Sequence, residues 1–172
     1  YAPLERLRSL YYEAVDQENV VALSVATRPD CINEEVAELL KELSEKVYVC
    51  VELGLQTSKA ESVKLINRCY ENHVYKNAAA MLNEHSIDTV THIILGLPGE
   101  SYDDMLGSVK YTINCGTKGL KLQLLHIIKG TALYDYYNEK PFKYFTLEEY
   151  VNTVVNIIEE IPPNIVIHRI TG

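Results

Sequence analysis

The chain has 172 residues, of which 47% are hydrophobic and 23% charged. This composition is typical of a globular chain and excludes a disordered or fibrous one. No apolar run reaches the roughly 18 residues that a membrane-spanning helix needs, and the first residues have no features of a signal peptide, so a cytoplasmic protein without a membrane segment is expected. The net charge of -8 argues against nucleic-acid binding by this stretch alone, because phosphate groups favour clustered Lys and Arg.

The chain contains four cysteines, namely Cys31, Cys50, Cys69 and Cys115. Their spacing fits neither a zinc site nor a dense disulfide framework. They are expected to be reduced and mostly buried thiols of a cytosolic protein.

Apolar runs that predict strands alternate with helical patterns along the chain. After an amphipathic helix over 3–18, strands are predicted over 20–25, 47–55, 89–96, 120–128 and 165–170. Helices are predicted over 33–46, 59–67, 75–84, 102–114 and 147–161, with Asn33, Ser101 and Thr146 as N-caps. A repeat of strand, helix and strand with connections this long predicts a parallel sheet.

The second predicted strand has two different faces. Its odd positions are aliphatic, whereas its even positions are Tyr48, Cys50, Glu52, Gly54 and Gln56. Strands of a sheet that helices cover on both faces are usually aliphatic throughout, so a polar face favours a βα barrel with a polar lumen. A closed barrel has eight strands and about 250 residues. We therefore predict a single α/β unit over residues 1–172, a half TIM-like barrel with about four to five parallel strands and flanking helices.

Polar residues and glycines follow the predicted strands, where parallel α/β folds bind ligands. Together with adjoining segments they resemble the C-terminal half of a radical S-adenosylmethionine (SAM) domain. The group that this half resembles most is the uncharacterised YhcC/YtqA type, which is related to the elongator catalytic subunit and to oxygen-independent coproporphyrinogen oxidase. The segments that carry the resemblance are 23–30, 51–57, 65–68, 92–100 and 126–131.

The resemblance implies a cytoplasmic oxidoreductase with two cofactors. In such enzymes a 4Fe-4S cluster held by three cysteines reductively cleaves SAM to a 5'-deoxyadenosyl radical, which abstracts a hydrogen atom from substrate. The Cys-x3-Cys-x2-Cys motif that binds the cluster is absent from these 172 residues. Neither Cys31 nor Cys50 can replace it, because the three thiolates must converge within one loop. The cluster ligands are therefore expected outside this chain, which alone would be inactive.

Four residues match positions that contact SAM in related enzymes. Arg68 matches an arginine that grips the methionyl carboxylate, and Gln56 matches a strand-end glutamine near the ribose and the carboxylate. His92 stands where the related oxidase has an aspartate close to the ribose, and Gly96 begins a turn beside the adenine. Within that turn, Glu100 is expected mainly to favour the start of the next helix.

One position departs from the pattern of the family. Many relatives have a ribose-binding glutamate three residues before the proline of the first strand loop, and here that residue is Ala26. The ribose contact would then come from Arg28, Asp30 or Gln56.

Four more residues are predicted to line the substrate lumen. Because an unpaired buried carboxylate is costly, we expect Glu52 to pair with Lys121 on a later strand, in a role that is either architectural or substrate-binding. Gln123 and His126 are predicted to face substrate or adenine.

Three questions about partners and function stay open. The substrate of the full protein, a small molecule or a tRNA, is unknown, and the open edges of a half-barrel predict self-association. The alternative from a different functional class is a non-catalytic α/β module that binds a nucleotide or a protein partner at the same rim.

Overall fold

The computed structural model describes residues 2–171, which form one parallel sheet and its surrounding helices. The strands are β1 (Ala22–Thr27), β2 (Tyr48–Gln56), β3 (Asp88–Leu95), β4 (Gly119–Leu124) and β5 (Val166–Arg169). The α-helices are α1 (Leu4–Val15), α2 (Glu34–Ser44), α3 (Ala60–Leu65), α4 (Asn72–Glu84), α5 (Tyr102–Asn114), α6 (Ala132–Glu139) and α7 (Leu147–Glu159). A single 3-10 turn, Pro29–Cys31, follows β1.

The sheet is parallel throughout, and its strands lie side by side in chain order from β1 to β5. Within residues 2–171 the sheet is not closed, so β1 and β5 are its two edges. These features confirm the predicted α/β class of parallel βα repeats with flanking helices. Of the predicted unit 1–172, Tyr1 and Gly172 lie outside the described residues.

The two faces of the sheet differ as the alternation in β2 predicts. Val51, Leu53 and Leu55 are fully buried under the helices, where they share a core with α2 and α4. The opposite face, called the polar face below, is partly exposed. It is formed by Ser24, Ala26, Glu52, Gly54, Gln56, His92, Lys121 and Gln123.

The three predicted helix N-caps are confirmed. Asn33 accepts a hydrogen bond from the backbone N–H of Val36 at 3.0 Å. Ser101 and Thr146 each form a reciprocal capping box with an acidic residue three positions later. Such caps satisfy backbone N–H groups that have no partner inside the helix, which fixes where α2, α5 and α7 begin.

Several predicted boundaries are wrong. β4 ends at Leu124 instead of residue 128, because its neighbour β3 ends at Leu95 and Gly96 then turns the chain away with φ 89°. Helix α4 begins at Asn72, three residues earlier than predicted. Helix α6 was not predicted; it has only eight residues, and none of them is fully buried.

The cysteines are less buried than predicted. All four are free thiols, but only Cys50 is buried, whereas Cys69 is exposed. Cys69 has a positive φ of 66° and lies in the loop before α4. Cys69 is therefore exposed because it lies in this loop, outside the core.

No helix in the described part of the chain is both long enough and apolar enough to cross a membrane.

Replacing Gly107 by Ala is expected to stabilise the protein by about 1 kcal/mol, because glycine inside a helix costs about that much relative to alanine. Gly107 lies within α5, and a Cβ atom there would meet no other group within 4 Å. Urea denaturation of the wild type and the variant measures the difference. If Gly107→Ala were less stable than the wild type, this would contradict the placement of Gly107 inside a helix with open space around its Cβ position.

Candidate functional site

Glu52 is the centre of an ion-pair cluster on the polar face. Its Oε2 atom accepts hydrogen bonds from Lys121 Nζ at 2.5 Å and His92 Nε2 at 2.8 Å, and Oε1 accepts one from Ser24 Oγ at 2.9 Å. The four residues come from four adjacent strands, β1 to β4. The predicted pair of Glu52 and Lys121 is therefore confirmed, with His92 and Ser24 as further partners.

The cluster holds Glu52 in its charged form. Burial alone would raise the pKa of this carboxyl, since its side chain is only 16% exposed. The hydrogen bonds from Lys121, His92 and Ser24 outweigh burial and lower the pKa to about 2. At neutral pH the polar face therefore contains a fixed carboxylate that is neutralised locally by Lys121.

Gln56 lies four residues after Glu52, at the carboxyl end of β2. A bulge between Gly54 and Gln56 interrupts the pairing with β3, and Gln56 has a φ of 62°. The N–H of Thr57 donates to the carbonyl of Leu55 at 2.8 Å, so Gln56 is the central residue of a tight γ-turn. A non-glycine residue in this region is strained, and such strain persists only where surrounding contacts enforce it.

Arg68 supplies those contacts. The side chain is buried, and its Nη1 donates to the carbonyls of both Leu55 (2.7 Å) and Thr57 (2.8 Å), on either side of Gln56. Nε donates to the carbonyl of Tyr70 and Nη2 to Oδ1 of Asn72. The guanidinium is thus committed largely to backbone carbonyls. Its predicted contact with the methionyl carboxylate stays a prediction.

The local sequence explains how Arg68 reaches the turn. Helix α3 ends in a Schellman motif, in which Asn67 donates to the carbonyl of Lys64 and the N–H of Arg68 donates to that of Val63. Asn67 takes the positive φ of 50° that this motif requires, a conformation that Asn tolerates better than most residues. The chain therefore reverses at Asn67 and directs Arg68 towards the end of β2.

Tyr70 connects three of the predicted rim residues. Its hydroxyl donates to the carbonyl of Gly54 at 2.6 Å and lies 3.3 Å from Gln56 Oε1. The guanidinium groups of Arg68 and Arg28 lie 4.5 and 5.1 Å from the centre of its ring. Arg28 also makes a two-pronged salt bridge with Asp30. Two cationic groups and an amide therefore surround one aromatic ring at the rim.

The turn that begins at Gly96 is tied to the end of β2. Glu100 accepts a hydrogen bond from Thr57 Oγ1 at 2.5 Å, while Lys59 Nζ donates to the carbonyl of Gly99 and to Asp104 Oδ2, both at 2.8 Å. Ser101, and not Glu100, caps α5, so a capping role for Glu100 is wrong, whereas the effect of its charge on the helix start stays a prediction. Burial raises the pKa of Glu100, against the lowering effect of the hydrogen bond from Thr57.

The remaining predicted residues are less connected. Gln123 lies on the polar face of β4 next to Ile94 in the register, and His126 is exposed in the loop after β4. His126 is not part of the Glu52 cluster. The predicted cofactor and substrate contacts of these residues, like those of Gln56, His92, Gly96 and Arg28, stay predictions.

The sequence reasoning missed Ser24, Tyr70 and Asn72. The position of Ser24 could have been found, because it has the same parity as Ala26 on a predicted strand. Tyr70 and Asn72 lie outside any periodic pattern, and their roles depend on the course of the loop after α3.

A cluster of metal ligands is absent from the part of the chain that the structure describes. No group of three or more His, Cys, Asp or Glu side chains in residues 2–171 could hold a metal ion. These residues therefore do not fit a 4Fe-4S cluster, which needs several converging thiolates.

Comparison with known proteins gives the relatives of the chain. Uncharacterized protein YtqA of Bacillus subtilis is 38% identical over 172 residues, which is all of this chain and 53% of that protein. Protein YhcC of Escherichia coli is 35% identical over 173 residues, with 100% of this chain and 56% of that protein covered. The chain thus spans about half the length of the curated relatives that it matches.

Solved structures show the same fold. Elp3 of the archaeon Methanocaldococcus infernus superposes with a TM-score of 0.77 at 23% identity, over 97% of this chain and 39% of that one. Coproporphyrinogen III oxidase of Escherichia coli, a radical SAM enzyme, superposes with a TM-score of 0.67 at 17% identity, over 91% of this chain and 36% of that one.

Two family models divide the chain between them. The Radical SAM C-terminal domain matches residues 117–172, and the Radical SAM superfamily matches residues 2–112. The boundary falls between α5 and β4, although β4 pairs directly with β3. Because the second match covers well over half of the sequence, the chain belongs to the radical SAM superfamily.

Proposed function

We propose that the chain forms half of the catalytic barrel of a radical SAM iron–sulfur oxidoreductase and contributes part of the SAM pocket and of the substrate lumen. The observation that carries the proposal is the polar face. Charged and polar groups from four parallel strands meet there, below a rim of Gln56, Arg28 and Gly96. Sheets of this class bind ligands at that end.

The rim fits the chemistry of SAM. Its carboxylate suits the guanidinium of Arg28, and its ribose hydroxyls suit the amide of Gln56, which can donate and accept. His92 lies one strand away on the same face, and Gly96 begins the turn at the end of β3. When bound, SAM and the cluster would supply the 5'-deoxyadenosyl radical that abstracts a hydrogen atom. The cluster ligands would lie outside these 172 residues.

The lower part of the polar face is proposed to contact substrate. Glu52 and Lys121 form an ion pair, and beside it the polar face presents N–H groups of Lys121 and the amide of Gln123. Such a surface suits a polar group that accepts hydrogen bonds. His126, in the exposed loop after β4, would contact the part of the substrate nearest the rim. A small molecule and a tRNA nucleoside both carry such groups.

The test uses the intact protein that contains this chain, reconstituted anaerobically with iron and sulfide. We expect the visible absorbance of a 4Fe-4S cluster and release of 5'-deoxyadenosine from SAM after chemical reduction. The 172-residue chain treated in the same way is expected to show neither. An intact protein that acquires no cluster would overturn the proposal and favour a non-catalytic module that binds a nucleotide or a protein.

The isolated chain is expected to self-associate. Both β1 and β5 are unpaired sheet edges within residues 2–171, and exposed edges favour pairing with another strand. Light scattering at several protein concentrations measures the mass. A monomer at every concentration would contradict the expectation.

A further inference from the structure

Gln56 is a rim residue with a positive φ of 62°, and its side chain makes close contacts with Gly54 and Tyr70. The amide folds back over Gly54, so closely that a Cβ atom at Gly54 would lie 2.3 Å from Gln56 Nε2. The hydroxyl of Tyr70 lies 3.3 Å from Gln56 Oε1. Only glycine at position 54 leaves room for this orientation.

Arg68 fixes the backbone beneath that amide. A positive φ costs a non-glycine residue about 1–2 kcal/mol, so the turn would relax without a restraint. Nη1 of Arg68 bridges the two carbonyls that flank Gln56, and Nε holds the carbonyl of Tyr70. One guanidinium therefore fixes both the turn that carries Gln56 and the residue whose hydroxyl contacts its amide.

Asn72 extends the same restraint to the following loop. Its Oδ1 accepts from Arg68 Nη2, and its Nδ2 donates to the carbonyl of Ser58, both at 2.7 Å. Residues 55–58 are thus held by Arg68 and Asn72 together. A lysine at position 68 would keep the charge but could not bridge these groups, because its single ammonium lacks the planar fork of arginine.

We propose that Arg68 is a positioning residue, which holds the strained Gln56 turn so that the Gln56 amide is presented to SAM. This inference rests on the proposed function, because it assumes that Gln56 contacts SAM. It adds to the family pattern a role for Arg68 that acts through Gln56.

The experiment measures SAM affinity by equilibrium dialysis in the intact, cluster-loaded protein. Four forms are compared, namely the wild type, Gln56→Ala, Arg68→Lys and the double variant. Each single variant is expected to bind SAM about tenfold more weakly, as for one lost hydrogen bond to a charged or polar ligand. The double variant is expected to bind no more weakly than either single variant, because both changes remove the same contact.

Three results would overturn the inference: losses that add in the double variant, an Arg68→Lys protein that binds SAM normally, or a Gln56→Ala protein that does so. A wild-type protein that binds no SAM would instead refute the proposed function, so the two failures are distinguishable.

A second variant keeps the inference testable if Arg68→Lys does not fold. Gly54→Ala leaves Arg68 intact and displaces only the end of the Gln56 side chain. It is expected to reproduce the loss of SAM affinity seen in Gln56→Ala, with circular dichroism confirming that the fold is kept. Normal SAM binding by Gly54→Ala would contradict the role of the Gln56 orientation.

Discussion

Replacing Glu52 by Leu is expected to destabilise the protein by about 3 kcal/mol at pH 7, because Lys121 is left as a mostly buried charge without its partner. The double variant Glu52→Leu/Lys121→Met is expected to recover most of this loss, since apolar side chains of similar size often replace a buried ion pair at little cost. Urea denaturation of the wild type, both single variants and the double variant gives the coupling free energy.

The exposed pair of Lys110 and Glu160 provides a matched control, because both of its side chains are about half exposed. Glu160→Leu is expected to change the free energy of unfolding by less than about 1 kcal/mol. Equal losses at positions 52 and 160 would contradict a special role for the cluster on the polar face.

The loss of stability caused by Glu52→Leu is expected to depend on pH. The pKa of Glu52 is lowered from 4.5 to about 2 in the folded protein. A lowered pKa stabilises the folded state above the unfolded value, and this contribution disappears as the pH falls through the folded value. The difference in the free energy of unfolding between the wild type and Glu52→Leu should therefore be constant from neutral pH to about pH 5 and should decrease towards pH 2. A difference in unfolding free energy that increases in acid would contradict the lowered pKa of Glu52.

The alternation within one strand predicted the polar face correctly, because side-chain direction in a strand depends only on position parity. The cost of an unpaired buried carboxylate predicted that Glu52 would pair with Lys121. The partners His92 and Ser24 required the register of β1 and β3 relative to β2, which is set by packing of the whole sheet. Position parity therefore identified the residues of the polar face, whereas the strand register determines which of their side chains are in contact.

Other features depend on geometry that no periodic pattern displays. The motif around Arg68 predicted a cofactor contact, but the orientation of the guanidinium follows from the bulge in β2 and the reversal of the chain at Asn67. Helix α6 has only eight residues, which is shorter than the window of about 11–18 residues over which a helical period is recognised. The length of β4 was overestimated because its apolar run continues past the point where β3 stops pairing.

The second large effect is expected at Gly96, where replacement by Ala should destabilise the protein by about 3 kcal/mol. Part of the cost is backbone strain, since Gly96 has a φ of 89°, which side chains rarely tolerate. The rest comes from overpacking, because the new Cβ would lie 2.9 Å from Cδ2 of Phe145. The half-buried ring of Phe145 packs against the buried Tyr150 at a centroid distance of 6.1 Å, so displacing the ring would weaken this contact.

A variant at Gly99 distinguishes the cost of backbone strain from the cost of overpacking. It has a φ of 77°, but a Cβ atom there would meet nothing within 4 Å, so Gly99→Ala is expected to cost only the strain, about 1 kcal/mol. Shortening Phe145 to Leu should relieve the overlap, and Gly96→Ala/Phe145→Leu is therefore expected to be more stable than the sum of the two single losses predicts. Urea denaturation of the wild type and of these four variants measures the free energies of unfolding. Additive losses, or equal effects at Gly96 and Gly99, would show that Phe145 does not restrict the rim turn, and that backbone strain alone makes glycine necessary there.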